Sequence, residues 1–425
     1  MSTTEGHFGG CATALRCKEC GHRTELVAAY VCEYCFGPLE VEYDRERLAA
    51  TVSRERIARG PLNLWRYRDL LPCSPDDPSL GLSAGLTPLV RAPRLAQALG
   101  LKHVWVKNET ANPTHSFKDR VVSVALEAAQ RLGFSTVACA STGNLANAVA
   151  AHASALGLES YVFVPSNLEE QKIVATAVFD TTLLAVTGTY DDVNRLCGEL
   201  AADRPWAFVN VNVRPYYSEG SKTLAYEVAE QLGWQCPDRC IVPIASGSLY
   251  TKIHAGYRDV VELGLADGQV PVLNGAQAEG CSPVAAAWSE DRQFVSPVVP
   301  DTIAKSLAIG NPADGVFALD TARQTGGSIT SVTDDEIVDG IRLLAETTGI
   351  FTETAGGVTT AVLRKLADRG EIGVDERVVL YITGDGLKTL DAVAPYVGAI
   401  QIDAEVAAFE AATGTRVTDR IPAIA

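Results

Sequence analysis

The stretch STVACASTGNLANAVAAHASALGLESYVFVP, residues 135–165, decides the fold class of this chain. Its first apolar run, Thr136–Ala140, is short and ends at turn residues, which favours a buried strand. Residues 145–156 are rich in alanine with helical spacing, and residues 161–165 form a second strand-like run. A strand, a helix and a strand in this order predict a parallel pair joined by a crossover helix.

The same alternation extends in both directions from this stretch. Residues 104–106, 240–244 and 378–382 are further apolar runs typical of strands, and residues 120–132 have helical spacing. We therefore expect an α/β fold with parallel sheets that are covered by helices on both faces. In such sheets ligands bind beyond the carboxyl ends of the strands, so the loops that follow these strands form the candidate site.

Length, composition and charge narrow the class of protein. A chain of 425 residues with 47% hydrophobic residues is typical of a soluble globular protein of two or three domains. The formal net charge of -16 disfavours nucleic acid and anionic membrane surfaces as partners. The N-terminus, MSTTEGHFGG, lacks the features of a secretory signal, and no apolar run reaches the ~18 residues of a membrane span. We therefore expect a cytoplasmic protein that acts on a small molecule.

Four of the eleven cysteines cluster near the N-terminus. Cys17 and Cys20 form one CxxC pair, and Cys32 and Cys35 form a second pair after a short spacer. Four thiolates at this spacing suit tetrahedral zinc, so we predict a structural zinc ribbon with no open position for catalysis. The alternatives are reduced core cysteines, a ribbon without its metal, and a redox CxxC, although the last lacks a thioredoxin-like strand–helix context.

A second informative segment reads NPTHSFKDR, residues 112–120. Its lysine, Lys118, follows a turn that contains proline and opens a predicted helix. The positive end of a helix lowers the pKa of an amine, so that more of the lysine is the nucleophilic free base. Schiff-base chemistry needs such a lysine, whereas a solvated lysine at a helix start is the ordinary alternative.

The loop Ser141-Thr142-Gly143-Asn144 follows the first quoted strand and opens the next helix. Free N–H groups at a helix start, together with the hydroxyl groups of Ser141 and Thr142, form an anion site that suits the carboxylate of an amino acid. Ordinary helix capping is the alternative interpretation. Two further loops, residues 245–249 and residues 383–388, follow the strands at residues 240–244 and 378–382.

These motifs together resemble a known family. Residues 112–120 resemble NPTGSFKDR, the lysine loop of the threonine synthases, which use pyridoxal phosphate (PLP), although His115 replaces the usual glycine. The loop at residues 141–144 resembles the family's STGN motif, and TGDGLK at residues 383–388 resembles its TG(H/N)GLK motif. The resemblance implies the two open, twisted α/β domains of the fold-type II PLP enzymes, with the cofactor in the cleft between them.

The resemblance also implies domain boundaries, since some threonine synthases carry an N-terminal four-cysteine module. We expect a leader and zinc ribbon at residues 1–45, of which residues 1–16 would be frayed. A charged helix over residues 44–59 would then lead into a catalytic body at residues 46–425. The smaller subdomain of this body would lie at roughly residues 130–225.

The resemblance implies a role for most of the candidate residues. Lys118 would carry the cofactor, Asn144 would contact its phenolic oxygen, and Thr383 would face its ring nitrogen. Glu353 would lie near the ring. The cofactor phosphate would be held by a loop that keeps one glycine and lacks the family's usual asparagine; its residues are Ala245, Ser246, Gly247, Ser248 and Leu249.

One segment departs from the family where the substrate phosphate is expected to bind. The family motif NPYRxEGQKT is matched at Pro215-Tyr216 and at residues 219–223, but Arg214 replaces its asparagine and Tyr217 its arginine. The family's arginine is expected to help hold the phosphate, so we expect Arg214 to take over this role. Exposure of Arg214 at the surface is the alternative.

The implied reaction converts O-phospho-L-homoserine and water to L-threonine and phosphate, which makes the chain a PLP-dependent lyase. The nearest alternative is another PLP enzyme on this scaffold, either a threonine or serine dehydratase or a phosphoserine-using enzyme such as a cysteate synthase. A zinc-ribbon adaptor with an inactive α/β body is an alternative from another class, and the intact Lys118 argues against it. A homo-oligomer is compatible with all of these.

Overall fold

Short apolar runs form the strands of this protein, and alanine-rich segments form the helices beside them. The computed structural model describes Phe8 and residues 10–141, 143–166, 168, 170–188 and 190–414. The chain divides into two units, Met1–Lys388 and Thr389–Ala425. None of the described helices has both the length and the apolar character that a membrane crossing requires.

The described strands and α-helices follow one another along the chain in the order of their numbers. The strands are β1 (Ala12–Cys17), β2 (Arg23–Thr24), β3 (Leu39–Tyr43), β4 (Leu89–Arg91), β5 (His103–Asn108), β6 (Thr136–Ala140), β7 (Glu159–Pro165), β8 (Thr182–Val186), β9 (Ala207–Phe208), β10 (Arg239–Pro243), β11 (Val272–Ala278), β12 (Ile329–Val332) and β13 (Arg377–Ile382). The helices are α1 (Arg45–Thr51), α2 (Arg54–Ala58), α3 (Pro93–Ala98), α4 (Lys118–Arg131), α5 (Asn144–Leu156), α6 (Glu170–Ala177), α7 (Tyr190–Asp203), α8 (Arg214–Glu219), α9 (Lys222–Gln231), α10 (Ser248–Glu262), α11 (Pro283–Ser289), α12 (Gly315–Thr325), α13 (Asp334–Thr348), α14 (Thr354–Asp368) and α15 (Val406–Thr413).

Two largely parallel sheets form the body of the first unit. The larger sheet has the strand order β12-β11-β10-β13-β5-β4, in which β4 runs antiparallel to β5 and the other neighbours are parallel. The smaller sheet has the order β8-β7-β6-β9 and is parallel throughout. All five residues of β6 are buried, as expected for a strand whose two faces are both covered. The predicted α/β fold is therefore confirmed.

A separate antiparallel sheet, β2-β1-β3, carries the cysteine pairs. The expectation that residues 1–16 are frayed is wrong for residues 12–16, which belong to β1 and pair with β3. Leu15 and Cys17 of this strand are buried, so hydrophobic contact and pairing both hold it in place. Residues 1–7 lie outside the described residues.

The single helix expected over residues 44–59 is also wrong, because two short helices occupy this segment. Helix α1 ends before Val52, which is extended, and Ser53 then caps α2. The Ser53 hydroxyl accepts a hydrogen bond from the Arg56 N–H at 3.2 Å. Serine favours such a cap over a helix interior, because its side chain competes for backbone N–H groups.

A buried network of charges fixes helix α4 to its neighbours. The guanidinium of Arg120 is fully buried and donates to Glu109 at 2.6 Å and to Glu227 at 2.7 Å. Lys107, on β5, donates to Glu227 at 2.7 Å and is also fully buried. Arg120 follows Lys118 by two residues, so this network anchors the first turn of the helix that carries Lys118.

Candidate active site

One cavity lies at the carboxyl ends of the strands and joins loops from both parallel sheets. Lys118 reaches it from the start of α4, and the loops after β6, β10 and β13 supply most of its other walls. The sequence-predicted residues that line this cavity are Lys118, Ser141, Asn144, Ala245, Ser246, Gly247, Ser248, Leu249, Glu353 and Thr383. Thr142 lies outside the described residues, and Arg214 is not among the lining residues.

The loop before Lys118 is tied to the end of β13 by the backbone. The Phe117 N–H donates to the Thr383 carbonyl at 3.0 Å, and the Asp385 N–H donates to the His115 carbonyl at 3.0 Å. His115 has φ of 61°, a left-handed conformation that glycine adopts with less strain. The glycine that the resemblance gives at this position would suit this turn, and His115 adopts the same turn here.

The amine of Lys118 has a partner that sequence reasoning did not identify. Lys118 Nζ donates to the Tyr217 hydroxyl at 2.8 Å, and both residues line the cavity. The two residues are separated by 99 positions in sequence. The sequence did show that Tyr217 replaces an arginine of the family motif, but a substitution alone does not indicate which side chain the tyrosine contacts.

Asn144 and the buried Glu353 form a hydrogen-bonded pair in the same cavity. The Asn144 Nδ2 donates to both carboxylate oxygens of Glu353, at 3.1 and 2.9 Å. Burial raises the pKa of Glu353 above its ordinary value, while the hydrogen bond from Asn144 and the charges of Lys388, Lys172 and Lys118 oppose this shift. The Asn144 Oδ1 is buried and has no hydrogen-bond partner within the described residues.

Ser141 caps the helix that begins at Asn144. Its Oγ accepts hydrogen bonds from the Gly143 N–H at 3.0 Å and from the Ala146 N–H at 2.9 Å. Ser141 therefore makes the helix-capping contacts that the sequence left open as an alternative. Both contacts use the hydroxyl oxygen as an acceptor, so the hydroxyl hydrogen is still available to donate to an anion in the cavity.

The loop at residues 245–249 leads into helix α10, and its residues line the cavity. Among the described residues no side chain caps this helix, and Gly247, Ser248 and Leu249 at its start line the cavity, so the N–H groups of its first turn can bind an anion there. Gly247 has φ of 95°, and a Cβ on it would lie 2.7 Å from the Asp314 carbonyl oxygen. The one glycine that remains in this loop is therefore required by conformation and by space.

Arg214 lies on the other side of this loop. It begins α8, and its guanidinium pairs with the Asp314 carboxylate. Arg214 and Asp314 line a second, smaller cavity, and Ser248 borders both cavities. Tyr217, one helical turn after Arg214, points into the larger cavity instead.

The donors around the larger cavity fit PLP. An amine for covalent attachment, a helix N-terminus for a phosphate and a hydroxyl at Thr383 converge on it. Two buried oxygens in its wall, Asn144 Oδ1 and Ser306 Oγ, have no partner among the described residues. Unpartnered buried polar atoms indicate that a bound group completes the site.

The four cysteines of the N-terminal module lie together. The sulfur atoms of Cys17, Cys20, Cys32 and Cys35 are all within 4.8 Å of one another, and all four thiols are free. The sulfurs of Cys17 and Cys35 are 3.4 Å apart, and those of Cys20 and Cys32 are 3.7 Å apart. A zinc ion with Zn–S bonds of about 2.3 Å has sulfur atoms about 3.8 Å apart, so this cluster fits a tetrahedral metal site.

Comparisons with known proteins agree with this geometry. The sequence model of pyridoxal-phosphate dependent enzymes matches residues 81–384. The chain is 38% identical to a threonine synthase of Methanocaldococcus jannaschii, over 89% of this chain and 93% of that protein. It is 36% identical to a threonine synthase of Methanosarcina acetivorans, over 88% of this chain and 92% of that protein.

Two solved structures show the same fold at lower sequence identity. Maize serine racemase superposes with a TM-score of 0.60 at 20% identity, over 73% of this chain and 91% of that chain. The processed form of threonine deaminase isoform 2 from Solanum lycopersicum superposes with a TM-score of 0.59 at 20% identity, over 73% of this chain and 88% of that chain. At this sequence identity the two similarities show a shared fold and nothing further.

Proposed function

The chain belongs to the threonine synthase family of pyridoxal-phosphate dependent enzymes, and from this premise we propose that it converts O-phospho-L-homoserine and water to L-threonine and phosphate. One observation carries the proposal: Lys118 and the uncapped start of α10 face the same cavity. The amine and the phosphate-binding helix end that PLP needs are thus in one place.

Each element of the cavity has a proposed part in binding. The bound cofactor would supply an electron sink that makes the protons on the substrate's α-carbon and β-carbon removable. Lys118 would hold the cofactor covalently, and the N–H groups of residues 245–249 would hold its phosphate. Asn144 and Glu353 would lie beside the ring, and the Thr383 hydroxyl would face the ring nitrogen.

The proposed reaction uses Lys118 as the proton carrier. Once the substrate amine has displaced it, the free Lys118 amine would take protons from the substrate's α-carbon and β-carbon, and phosphate would leave from the γ-carbon. Lys118 would return one proton to the γ-carbon, which becomes the methyl group, and the other to the α-carbon. Water would add its hydroxyl at the β-carbon, and the released phosphate would take up the remaining proton of the water. The Tyr217 hydroxyl, 2.8 Å from Nζ, would keep the amine in the cavity. Ser141 and the Thr142 hydroxyl would hold the carboxylate.

One observation favours a second candidate function. A neutral phenol, Tyr217, stands where the family motif has arginine, and Arg214 pairs with Asp314 outside the larger cavity. A substrate without a phosphate, as in a threonine or serine dehydratase, would suit a cavity with fewer cations. Purified protein assayed in parallel with phosphohomoserine, phosphoserine and threonine distinguishes these functions. Turnover that is fastest with phosphohomoserine supports the first proposal, and preference for either of the others contradicts it.

We propose that Arg214 exchanges its pairing with Asp314 for the substrate phosphate. Losing a charge-assisted contact to a buried phosphate typically costs ~2–5 kcal/mol. We therefore expect Arg214→Ala to lower kcat/KM for phosphohomoserine by roughly 30-fold or more, since ~1.36 kcal/mol is tenfold. Steady-state kinetics measures this change, and the visible absorption of bound cofactor should persist. Arg342→Ala, which removes an exposed pair with Glu346, is the matched control. Unchanged kinetics in Arg214→Ala would count against the assignment.

We propose that the four-cysteine cluster binds one structural zinc ion. Elemental analysis of freshly purified protein should give about one zinc per chain. We expect Cys32→Ser to lose this metal and to lower the unfolding temperature of the module, because a closed metal site contributes folding energy. Cys73→Ser is the matched control, since Cys73 is a buried free cysteine outside the cluster. Stoichiometric zinc retained by Cys32→Ser, or absent from wild type, contradicts the proposal.

We also propose a cytoplasmic location. All eleven cysteines are free in the structure, including buried residues such as Cys139 and Cys197. Thiols stay reduced in the cytoplasm, whereas oxidising compartments favour disulfides. Cell fractionation with an antibody to the chain tests this location.

A further inference from the structure

Lys18 lies between two of the clustered cysteines, but its side chain leaves the module. Its Nζ is 3.4 Å from the centroid of the Phe317 ring and 3.8 Å from the Asp314 carboxylate. The Lys18 side chain is 18% exposed and that of Asp314 is 8% exposed, so water screens this pair only weakly. A residue of the cysteine module therefore makes a charged contact inside the catalytic body.

Asp314 in turn contacts the loop that opens α10. Its N–H donates to the Ser246 carbonyl at 2.8 Å, and its own carbonyl packs against Gly247 without room for a Cβ. The conformation of the loop thus depends on where Asp314 lies. The Asp314 carboxylate is held between two cations, Lys18 and Arg214.

A second contact joins the module to the same helix. Lys252, on the second turn of α10, pairs with Glu219 at 2.6 Å and lies 3.8 Å from Glu40 of β3. Lys18 and Lys252 both line the small cavity that Ser248 separates from the larger one. The face of the loop that points away from the larger cavity is therefore covered by charged groups, and two of them, Lys18 and Glu40, belong to the cysteine module.

We propose that Lys18 and Asp314 are positioning residues for the phosphate-binding loop, so that the cysteine module contributes to the affinity for the cofactor phosphate. The inference rests on the proposed function, in which residues 245–249 hold that phosphate. Free N–H groups bind an anion well when their geometry is fixed before binding, because no ordering is then required. The Asp314 carboxylate beside the loop would also repel the phosphate, and Lys18 and Arg214 together offset its charge.

The metal-binding geometry explains how the module holds Lys18. Cys17 and Cys20 flank it, and the turn between them is closed by the Gly21 N–H, which donates to the Cys17 carbonyl at 3.1 Å. The Lys18 N–H donates to the Pro38 carbonyl at 3.0 Å, which ties this turn to the second cysteine pair. A metal on the four sulfurs would fix both turns and thereby the point from which the Lys18 side chain extends.

The test uses Lys18→Met in the full-length chain. All four cysteines remain, so metal content should be unchanged by elemental analysis. The cofactor is removed, and the protein is titrated with PLP and then with pyridoxal, which lacks the phosphate. We expect the Kd for PLP to rise about tenfold, ~1.4 kcal/mol, and the Kd for pyridoxal to change less than about twofold. Lys102→Met, which removes an exposed pair with Asp375, is the control and should change neither value.

A second variant separates charge compensation from general damage. In an Asp314→Asn background the carboxylate needs no neutralising, so adding Lys18→Met should change the Kd for PLP less than about threefold. A wild type that binds PLP together with an unchanged Kd in Lys18→Met overturns the inference. Equal losses for PLP and pyridoxal also overturn it, because they indicate general damage to the cavity. A wild type that takes up no PLP overturns the proposed function instead.

Removing the metal supplies an independent arm of the test. Chelation of the wild-type metal should raise the Kd for PLP in the same direction as Lys18→Met. The same treatment of Lys18→Met should add little, because the contact is already lost. Equal effects of chelation in both proteins would contradict transmission through Lys18.

Discussion

Lys118→Ala is expected to abolish both the visible absorption of bound cofactor and the turnover of phosphohomoserine. The lysine is the proposed attachment point and the proposed proton carrier, and its Nζ lies in the cavity beside Tyr217. A general base alone contributes roughly 10²–10⁴-fold, so we expect kcat to fall by at least about 10³-fold. Absorption spectra of purified protein and stopped-assay kinetics measure the two effects.

Two comparisons make this result specific. Lys102→Ala removes a lysine that pairs with Asp375 at the surface, and it should retain full colour and activity. The unfolding midpoint of Lys118→Ala should stay close to that of cofactor-free wild type, because Lys118 makes a hydrogen bond to Tyr217 but no ion pair in the described structure. Full visible absorption in Lys118→Ala would exclude it as the attachment point. A wild type that stays colourless with excess PLP would remove the basis for the cofactor.

Arg120→Met is expected to cause the largest loss of stability among single substitutions in the body. Its guanidinium donates to Glu109, Glu227 and Thr87, and all of these groups are buried. Removing one partner of a buried ion pair costs about 3–5 kcal/mol, because the remaining carboxylates are left without compensation. Denaturant unfolding should show this fall in the free energy of unfolding, or the variant should fail to accumulate as folded protein.

The control for this prediction is Arg342→Met. Arg342 and Glu346 form a pair of exposed side chains, and such pairs contribute about 0–1 kcal/mol.

Although burial alone would raise the pKa of Glu227, the charges of Arg120 and Lys107 hold it below its ordinary value. A carboxyl pKa that is lower in the folded than in the unfolded protein stabilises the fold at pH values above the unfolded-state pKa, about 4.3. This stabilisation is lost progressively as the pH falls from there toward the pKa of the folded state. The gap between wild type and Arg120→Met should therefore narrow below about pH 4.3, and a gap that widens there would contradict this account.

The sequence was sufficient for five strands of the two parallel sheets, β5, β6, β7, β10 and β13, and for the loops that follow them, whereas β4, β8, β9, β11 and β12 were not identified. Runs such as Thr136–Ala140 are mostly apolar, so their burial follows from the pattern. The order of the motifs then indicated which loops meet, since parallel strands end at one edge of a sheet. Residues 44–59 were harder, because a break at Val52 is too short to change the overall periodicity.

The side-chain contacts within the site could not be predicted from the sequence in this way. Lys118 meets Tyr217, and Arg214 meets Asp314, across about 100 residues of sequence in each case. Such pairs depend on how the two sheets and the cysteine module pack, and periodicity within one element carries no information on them. Lys18 is a clear example, because its neighbours in sequence are metal ligands while its contacts in space are with Asp314 and Phe317.

The strand order of the two sheets also sets the sequence of events during synthesis on the ribosome. The smaller sheet uses one continuous stretch, from Thr136 to Phe208, so it can be completed while the rest of the chain is still being made. The larger sheet begins with β4 and β5, but β5 pairs with β13 in the finished protein. The edge of β5 that faces β13 therefore stays unpaired until residues 377–382 have been synthesised, and an unpaired strand edge favours aggregation.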